Sequence, residues 1–425
     1  MRVLNASAAA LMAALGWGAQ ATPVHAQDNG NWDRDRNVSV RGRPRPEYDA
    51  VGIPMGSYRL YPELDVSAEY NDNIFATNTG EQSDTIFHVD AKADLRSQWA
   101  NHELDFSLEV PSDIYSSFDR NNTTDAIGDV KGRLDVYRDF NLHGELSYAD
   151  AHESLASDPS ILPLAEPVHY TFGHANAGFV KAFNRIRVSG EADWTSYNYD
   201  DGRLFNNLPF NEDDRDRDVM QVGGRIDYAM SPMTAFFVSV SGNQRDYRLD
   251  PPDVTVNRDS QGYEALAGAN FDLTHLIRGE VGLGYLHQSY DDPTVGDTSG
   301  VAVRANVEWF PDELVTVTFG AAREVDDAGA NGAASYIANN ASFAIDYEWR
   351  RNIIFGVQAD YSEDDYRGID RTDNRWDARF KADYLVNRGV SLFFDAGHYE
   401  QTSDGVQQGR EYAIDRALIG IRLRR

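Results

Sequence analysis

From Ser57 onward the chain alternates apolar and polar residues. In Ser57–Tyr70, the residues Leu60, Leu64, Val66, Ala68 and Tyr70 fall on one side, and Arg59, Glu63, Asp65, Ser67 and Glu69 on the other. A period of two is that of a strand and fits no helix. The next segment sets Phe87, Val89, Ala91, Ala93, Leu95 and Trp99 against His88, Asp90, Lys92, Asp94, Arg96 and Gln98. The same texture recurs in segments from 102–111 to 411–424, which gives about eighteen strands, an even number as expected for a single-chain bacterial barrel. The connections alternate too. Short turns such as 100–101, 183–184 and 387–389 take turns with long segments such as 71–84, 152–170 and 198–217. Short periplasmic turns and long external loops produce this rhythm.

A soluble sandwich would have to bury so extensive an apolar face between two sheets. Here the apolar faces end in aromatics: Tyr58, Tyr61, Tyr70, Phe87 and Trp99 early in the chain, then Trp309, Trp349, Tyr361, Trp376 and Tyr384. Such rings suit the headgroup zones of a bilayer. Open sheet edges cannot sit in hydrocarbon, so the sheet has to close. The expected fold is all-β: a transmembrane antiparallel up-and-down β-barrel in a Gram-negative outer membrane, with N- and C-termini periplasmic. Outer-membrane lipid, lipopolysaccharide and the barrel assembly machinery are its expected partners.

The start of the chain differs. Residues 1–26 read as a signal peptide, with Arg2, a short apolar core and Val24-His25-Ala26 before the cut. Residues 27–56 are polar and rich in Gly, Pro and Arg, and read as an extended periplasmic segment; 57–425 form the barrel. No stretch is long and apolar enough for a membrane helix. The chain has no cysteine, which excludes disulfides and thiolate metal sites, and a formal net charge of −29, which argues against nucleic acid as a partner. It ends Ile421-Arg422-Leu423-Arg424-Arg425, without the aromatic on which such barrels usually end.

A closed barrel turns its polar face inward. Candidate lumen-facing charges are Asp90, Lys92, Asp94, Arg96, Lys131, Arg133, Arg185, Arg187, Glu191, Arg225, Arg278, Arg304, Arg375 and Arg379. They either satisfy one another as cross-strand pairs or line a water-filled conduit whose acidic excess favours cations or neutral sugars. The loop 152–170 is the least polar of the long ones, and Ile161, Leu162 and Leu164 are candidates for a constriction. Acidic runs such as Asn211–Asp218 could bind Ca²⁺ or Mg²⁺ through carboxylate oxygens, but none has the spacing of an EF-hand, and no cofactor is expected. His152 and His169 share one loop with acidic residues, a weak metal-site pattern. No histidine stands in a recognisable Ser/His/Asp setting and there is no His-Glu-x-x-His, so an enzyme is not expected.

One segment resembles a known family. Arg45-Pro46-Glu47-Tyr48-Asp49, Gly52-Ile53, Met55-Gly56-Ser57 and Leu60-Tyr61-Pro62-Glu63-Leu64 lead to Tyr70, Asn71, Asp72, Asn73, Ile74 and Phe75. This is similar to the opening of a β-barrel porin family often tied to exopolysaccharide biosynthesis and export, with Tyr58 for the family's usual Phe and Asn71 for its usual Asp. The resemblance implies a porin-like conduit of eighteen strands, working with a periplasmic polysaccharide-export protein to move a secreted polymer. It carries no catalytic residues. Asp72 and Asn73 are expected to cap the first turn. Two other readings stand beside export: a general or cation-preferring diffusion porin, and a structural or adhesive barrel with glycan- or ion-binding loops.

Overall fold

A computed structural model describes residues 38–156, 164–251, 253–254, 256–274, 276–328 and 333–425; the signal peptide, Ile161 and Leu162 lie outside them. Eighteen long strands run antiparallel to their neighbours. They are β1 Tyr58–Asn71, β2 Asp84–Ser97, β3 Glu103–Tyr115, β4 Ala126–Tyr137, β5 Phe140–Glu153, β6 Val168–Phe183, β7 Ile186–Tyr199, β8 Arg217–Ser231 and β9 Thr234–Tyr247. The second half comprises β10 Ser260–Leu273, β11 Ile277–Tyr290, β12 Thr298–Asp312, β13 Val315–Asp327, β14 Ser335–Arg350, β15 Ile353–Arg367, β16 Thr372–Asn387, β17 Val390–Asp404 and β18 Tyr412–Arg424. Each pairs with the next, and β1 pairs with β18 from Glu63↔Arg424 to Asn71↔Arg416, which closes the barrel. A short strand, Ile53–Met55, folds back on the start of β1.

The alternation assigns the two faces. Val222, Val240, Leu283 and Ile419 are apolar and more than half exposed, as expected for side chains that meet lipid. Their neighbours point the other way. Arg225 on β8 donates to both oxygens of Glu280 on β11, at 2.7 and 2.6 Å, past two intervening strands. Only side chains converging on the concave side can span that interval. Tyr58, Trp99 and Phe106 cluster near the short turns on the outward face, as do Phe355, Phe380 and Phe394. Tyr361 and Trp376 pair at the long-loop end, their rings 4.6 Å apart. Tyr61 departs from the expected girdle: its position in β1 turns it inward, beneath the Arg96 guanidinium.

Several strands run past the segments that alternation marks. β3 continues to Tyr115 rather than residue 111, and β17 to Asp404 rather than 399. Above the bilayer both faces meet water, so pairing persists where the apolar–polar contrast has ended.

If the outward face meets lipid, Val240→Arg will cost about 2–4 kcal/mol of barrel stability, while Ser241→Arg, one residue away on the inner face, will cost far less. Denaturant titration of the protein refolded into bilayers measures both, and equal costs would contradict the assignment of faces.

Candidate functional site: the lumen and its two mouths

The inner wall is built from charge pairs that strand register places opposite one another. Lys92 meets Glu109 at 3.5 Å, Lys131 meets Glu145 at 3.2 Å, and Arg133 meets Glu103 at 2.7 Å, each pair directly cross-strand. Arg278 pairs with Glu308 in the same way. Other arginines take the carboxylate two residues away on their own strand: Arg96 with Asp94 at 2.7 Å, and Arg379 with Asp377. Arg304 reaches Glu264 at 3.3 Å, and Arg375 reaches Asp364. Arg187 and Arg225 converge on the buried Asp227, at 3.5 and 2.8 Å. Arg225 also lies 3.9 Å above the Phe237 ring, which packs against β10 at Gly268 and β11 at Gly282, where there is no side chain to block it.

Two sequence candidates stand apart from these pairs. Asp90 faces Asp65 directly across the strand, and neither Asp90 nor Glu191 has a cation within ion-pair distance among the described residues. Arg185 is corrected outright: it sits exposed in the turn before β7, because the strand begins only at Ile186.

At the long-loop mouth, loops fold inward. Phe75, Leu155, Leu164, Tyr170 and Tyr199 belong to one buried cluster. Leu164 bridges to Leu204 in the neighbouring loop. Arg215, also buried, grips both oxygens of Glu153 at 2.8 Å, touches Glu212 at 3.2 Å, and lies 4.0 Å over the Tyr199 ring. Burial opposes its charge, yet the two carboxylates hold it well above its ordinary range. The end of β5 is tied across the mouth to β18: Arg410 donates to the Leu155 carbonyl at 2.9 Å and the Tyr412 hydroxyl to that of Ala156. On the far side Arg371 clasps Asp373, itself bonded to Ser403, and stacks on Tyr366.

The motif residues at the end of β1 close the seam at this mouth. Asn73 is fully buried. Its side-chain amide donates to the carbonyls of Thr77 (2.7 Å) and Ala413 (2.8 Å), and its backbone amide to the Asn71 side chain at 2.9 Å. Asp72 accepts from the Asp415 amide at 2.8 Å. Phe75 sits edge-on to Phe118 and Phe205, while Tyr70 points outward and is exposed.

At the short-turn mouth the structure adds residues to which sequence reasoning gave no role. Arg41 bridges Asp346 on β14 (2.6 Å) and Asp383 on β16 (2.9 Å). Arg45 and Arg43 share Glu348 at 2.7 and 3.3 Å, and Arg43 also donates to the Glu313 carbonyl. Burial leaves the Arg45 guanidinium below its ordinary range despite Glu348, whereas the charges of Asp346 and Asp383 outweigh burial and raise Arg41. The one signal in the sequence is the spacing of Arg41, Arg43 and Arg45 at every second residue.

Among the described residues no three His, Asp or Glu side chains are placed to hold a metal ion. The His152 and His169 rings lie 5.1 Å apart, and each is taken up by aspartates: Asp125 for the first, Asp150 and Asp200 for the second.

No curated protein matches the chain. Among solved structures, the outer membrane protein opdK from Pseudomonas aeruginosa superposes with a TM-score of 0.44 at 11% identity, covering 86% of this chain and 99% of that one. OpdL from the same organism gives 0.44 at 11%, covering 87% and 99%. The siderophore receptor PirA from Acinetobacter baumannii gives 0.44 at 8%, covering 86% and 80%. The closed wall with its lipid-facing band is that of an outer-membrane barrel. Residues 45–425 match the family described as "Putative beta-barrel porin 2", and the chain belongs to that porin family.

Proposed function

We propose that the barrel is a passive, cation-preferring diffusion conduit for small hydrophilic solutes. The observation that carries this reading is the state of the wall charges. Most inward arginines and lysines are spent on carboxylates, and carboxylates are left over. On the inner face of β3, Glu103 and Glu109 are taken by Arg133 and Lys92 and Asp113 by His88, but Asp105 has no cation within ion-pair distance among the described residues. Asp90, Glu191 and Asp395 make no ion pair among the described residues. A water-filled lumen of this sign enriches cations and depletes small anions. Eighteen strands enclose enough width for an aqueous channel.

A second reading is export of a secreted polysaccharide received from a periplasmic export protein. It is supported by the opening segment, Arg45 to Phe75, and by the family it resembles. The loop that carries Leu155 and Leu164 is proposed as the outer constriction, anchored by the Arg215–Glu153 pair.

Reversal potentials in planar bilayers will show cation preference, and the triple variant Asp90→Asn, Glu191→Gln, Asp395→Asn will move the cation-to-anion permeability ratio toward unity. Strong anion selectivity in the native protein would defeat the reading. Deleting the gene will slow small-solute uptake and leave surface polysaccharide staining unchanged; lost staining with normal uptake would favour export instead. Removing residues 154–167 will raise single-channel conductance, and an unchanged value would dismiss the constriction. Glu153→Ala leaves Arg215 buried beside Glu212 alone, so opening of that loop becomes easier by about 3–5 kcal/mol. Faster hydrogen exchange at the Arg215 and Asp216 amides reads this directly.

A further inference from the structure

The segment before the barrel traces the inner rim of the short-turn mouth. Starting from β1, Arg59 donates to the Val51 carbonyl at 2.6 Å. Arg424 on β18 then reaches the Tyr48 carbonyl at 3.3 Å. Arg388, in the turn between β16 and β17, reaches Pro46 at 2.8 Å, and Arg351, between β14 and β15, reaches Pro44 at 3.2 Å. The path ends on β13, where the Val40 amide donates to Thr316 Oγ1 at 2.9 Å. It therefore lines the rim from β18 to β13, six of the eighteen strands and one third of the perimeter.

We propose that residues 40–49 form a releasable collar that sets the periplasmic aperture of the barrel. The proposal rests on the reading of the barrel as a conduit. Three observations carry it. First, side chains and not the strand ladder hold the collar, and ion pairs add to the hydrogen bonds just described. Arg41, Arg43 and Arg45 hold Asp346, Asp383 and Glu348, while Val40 is the only apolar side chain of the collar that is fully buried. Second, the grip has a hub. Glu348, 1% exposed, serves Arg43, Arg45 and, from the wall, Arg351 at 3.4 Å. Three guanidiniums on one carboxylate leave positive charge in excess there, so the collar is held less firmly than its count of contacts suggests. Third, the wall makes room for it: a Cβ added at Gly356 would stand 2.8 Å from the Arg41 guanidinium and 3.1 Å from Asp346.

Loss of the grip frees the segment from the rim without breaking any barrel strand pairing, because the collar contributes none. The chain has no cysteine, so a single engineered pair can test the motion cleanly. The full-length protein with Val40→Cys and Thr316→Cys, reconstituted in planar bilayers, is compared oxidised and reduced, beside a variant lacking residues 38–49 and the wall variant Glu348→Gln. Retention of the heat-modifiable band on gels shows that each barrel has folded.

The deletion is expected to raise conductance by roughly half again or more, since one third of the perimeter loses its lining. Glu348→Gln is expected to give brief openings to that same level. The oxidised pair is expected to abolish those openings when placed in the Glu348→Gln background, and reduction to restore them. Equal conductance in native and deleted proteins overturns the collar and leaves the conduit standing. Openings that survive oxidation overturn release. No conductance from any form overturns the conduit reading and the collar with it.

Discussion

A peptide group in hydrocarbon finds no water, so every N–H and C=O must find a partner within the protein. For a strand protein this means that the last strand must pair with the first. The join between β1 and β18 is therefore the contact on which the other strand pairings depend, and both of its ends are reinforced. At the long-loop end the Asn73 side chain and the Asp72 carboxylate bind backbone groups of residues 413 and 415. At the short-turn end Arg422 lies on Asp65 at 2.6 Å and on Glu63 at 3.4 Å, and the Arg425 amide donates to the Pro62 carbonyl at 3.2 Å. The Tyr70–Phe75 motif is thus a seam fastening, which explains why specific polar residues stand at the tip of the first strand.

Closure then decides what the inner face tolerates. In a dry core, so many guanidiniums and carboxylates would each incur a large desolvation cost. Facing a lumen most incur less, and the buried ones, such as Asp227, are met by guanidiniums. The register even places like charges opposite each other, Asp65 with Asp90 and Asp360 with Asp377. Such pairs are unfavourable, but Arg422 offsets the first at Asp65 and Arg379 the second at Asp377. Asp90 and Asp360 form no ion pair of their own among the described residues, so the same geometry that builds the wall leaves carboxylates over.

Strand positions and faces are legible because a barrel wall imposes one rule, inward polar and outward apolar, on most residues within the bilayer, with Phe237, Leu266 and Leu286 as inward exceptions. The rule fails at its margins. Tyr61 has the ring of a girdle residue, yet register turns it inward under Arg96. Arg185 has the charge of a lumen residue, yet it belongs to a turn. The role of Asn73 as a cap was readable from its side chain; its bond to Ala413, 340 residues away, was not. The same limit hid the collar. Arg41 meets its partners 305 and 342 residues downstream, and no local pattern specifies such a contact.

The wall and the mouths are held by different means, and this separates what each controls. Wall charges sit on strands fixed by a continuous hydrogen-bond ladder, so in the proposed conduit they act as a static field on passing ions. The mouths are held by side chains on chain segments outside that ladder: Arg215 and Arg371 on one side, Arg41, Arg43 and Arg45 on the other. Segments outside the ladder can shift without unpairing a strand, so in the proposed conduit they would act on how much passes rather than on which sign is preferred. The two mouths also differ from one another. The outer one combines its ion pairs with a buried aromatic cluster, whereas the segment along the inner one fully buries a single apolar side chain of its own, Val40. With so little apolar burial to retain it, the proposed collar is the segment whose release would depend on electrostatics.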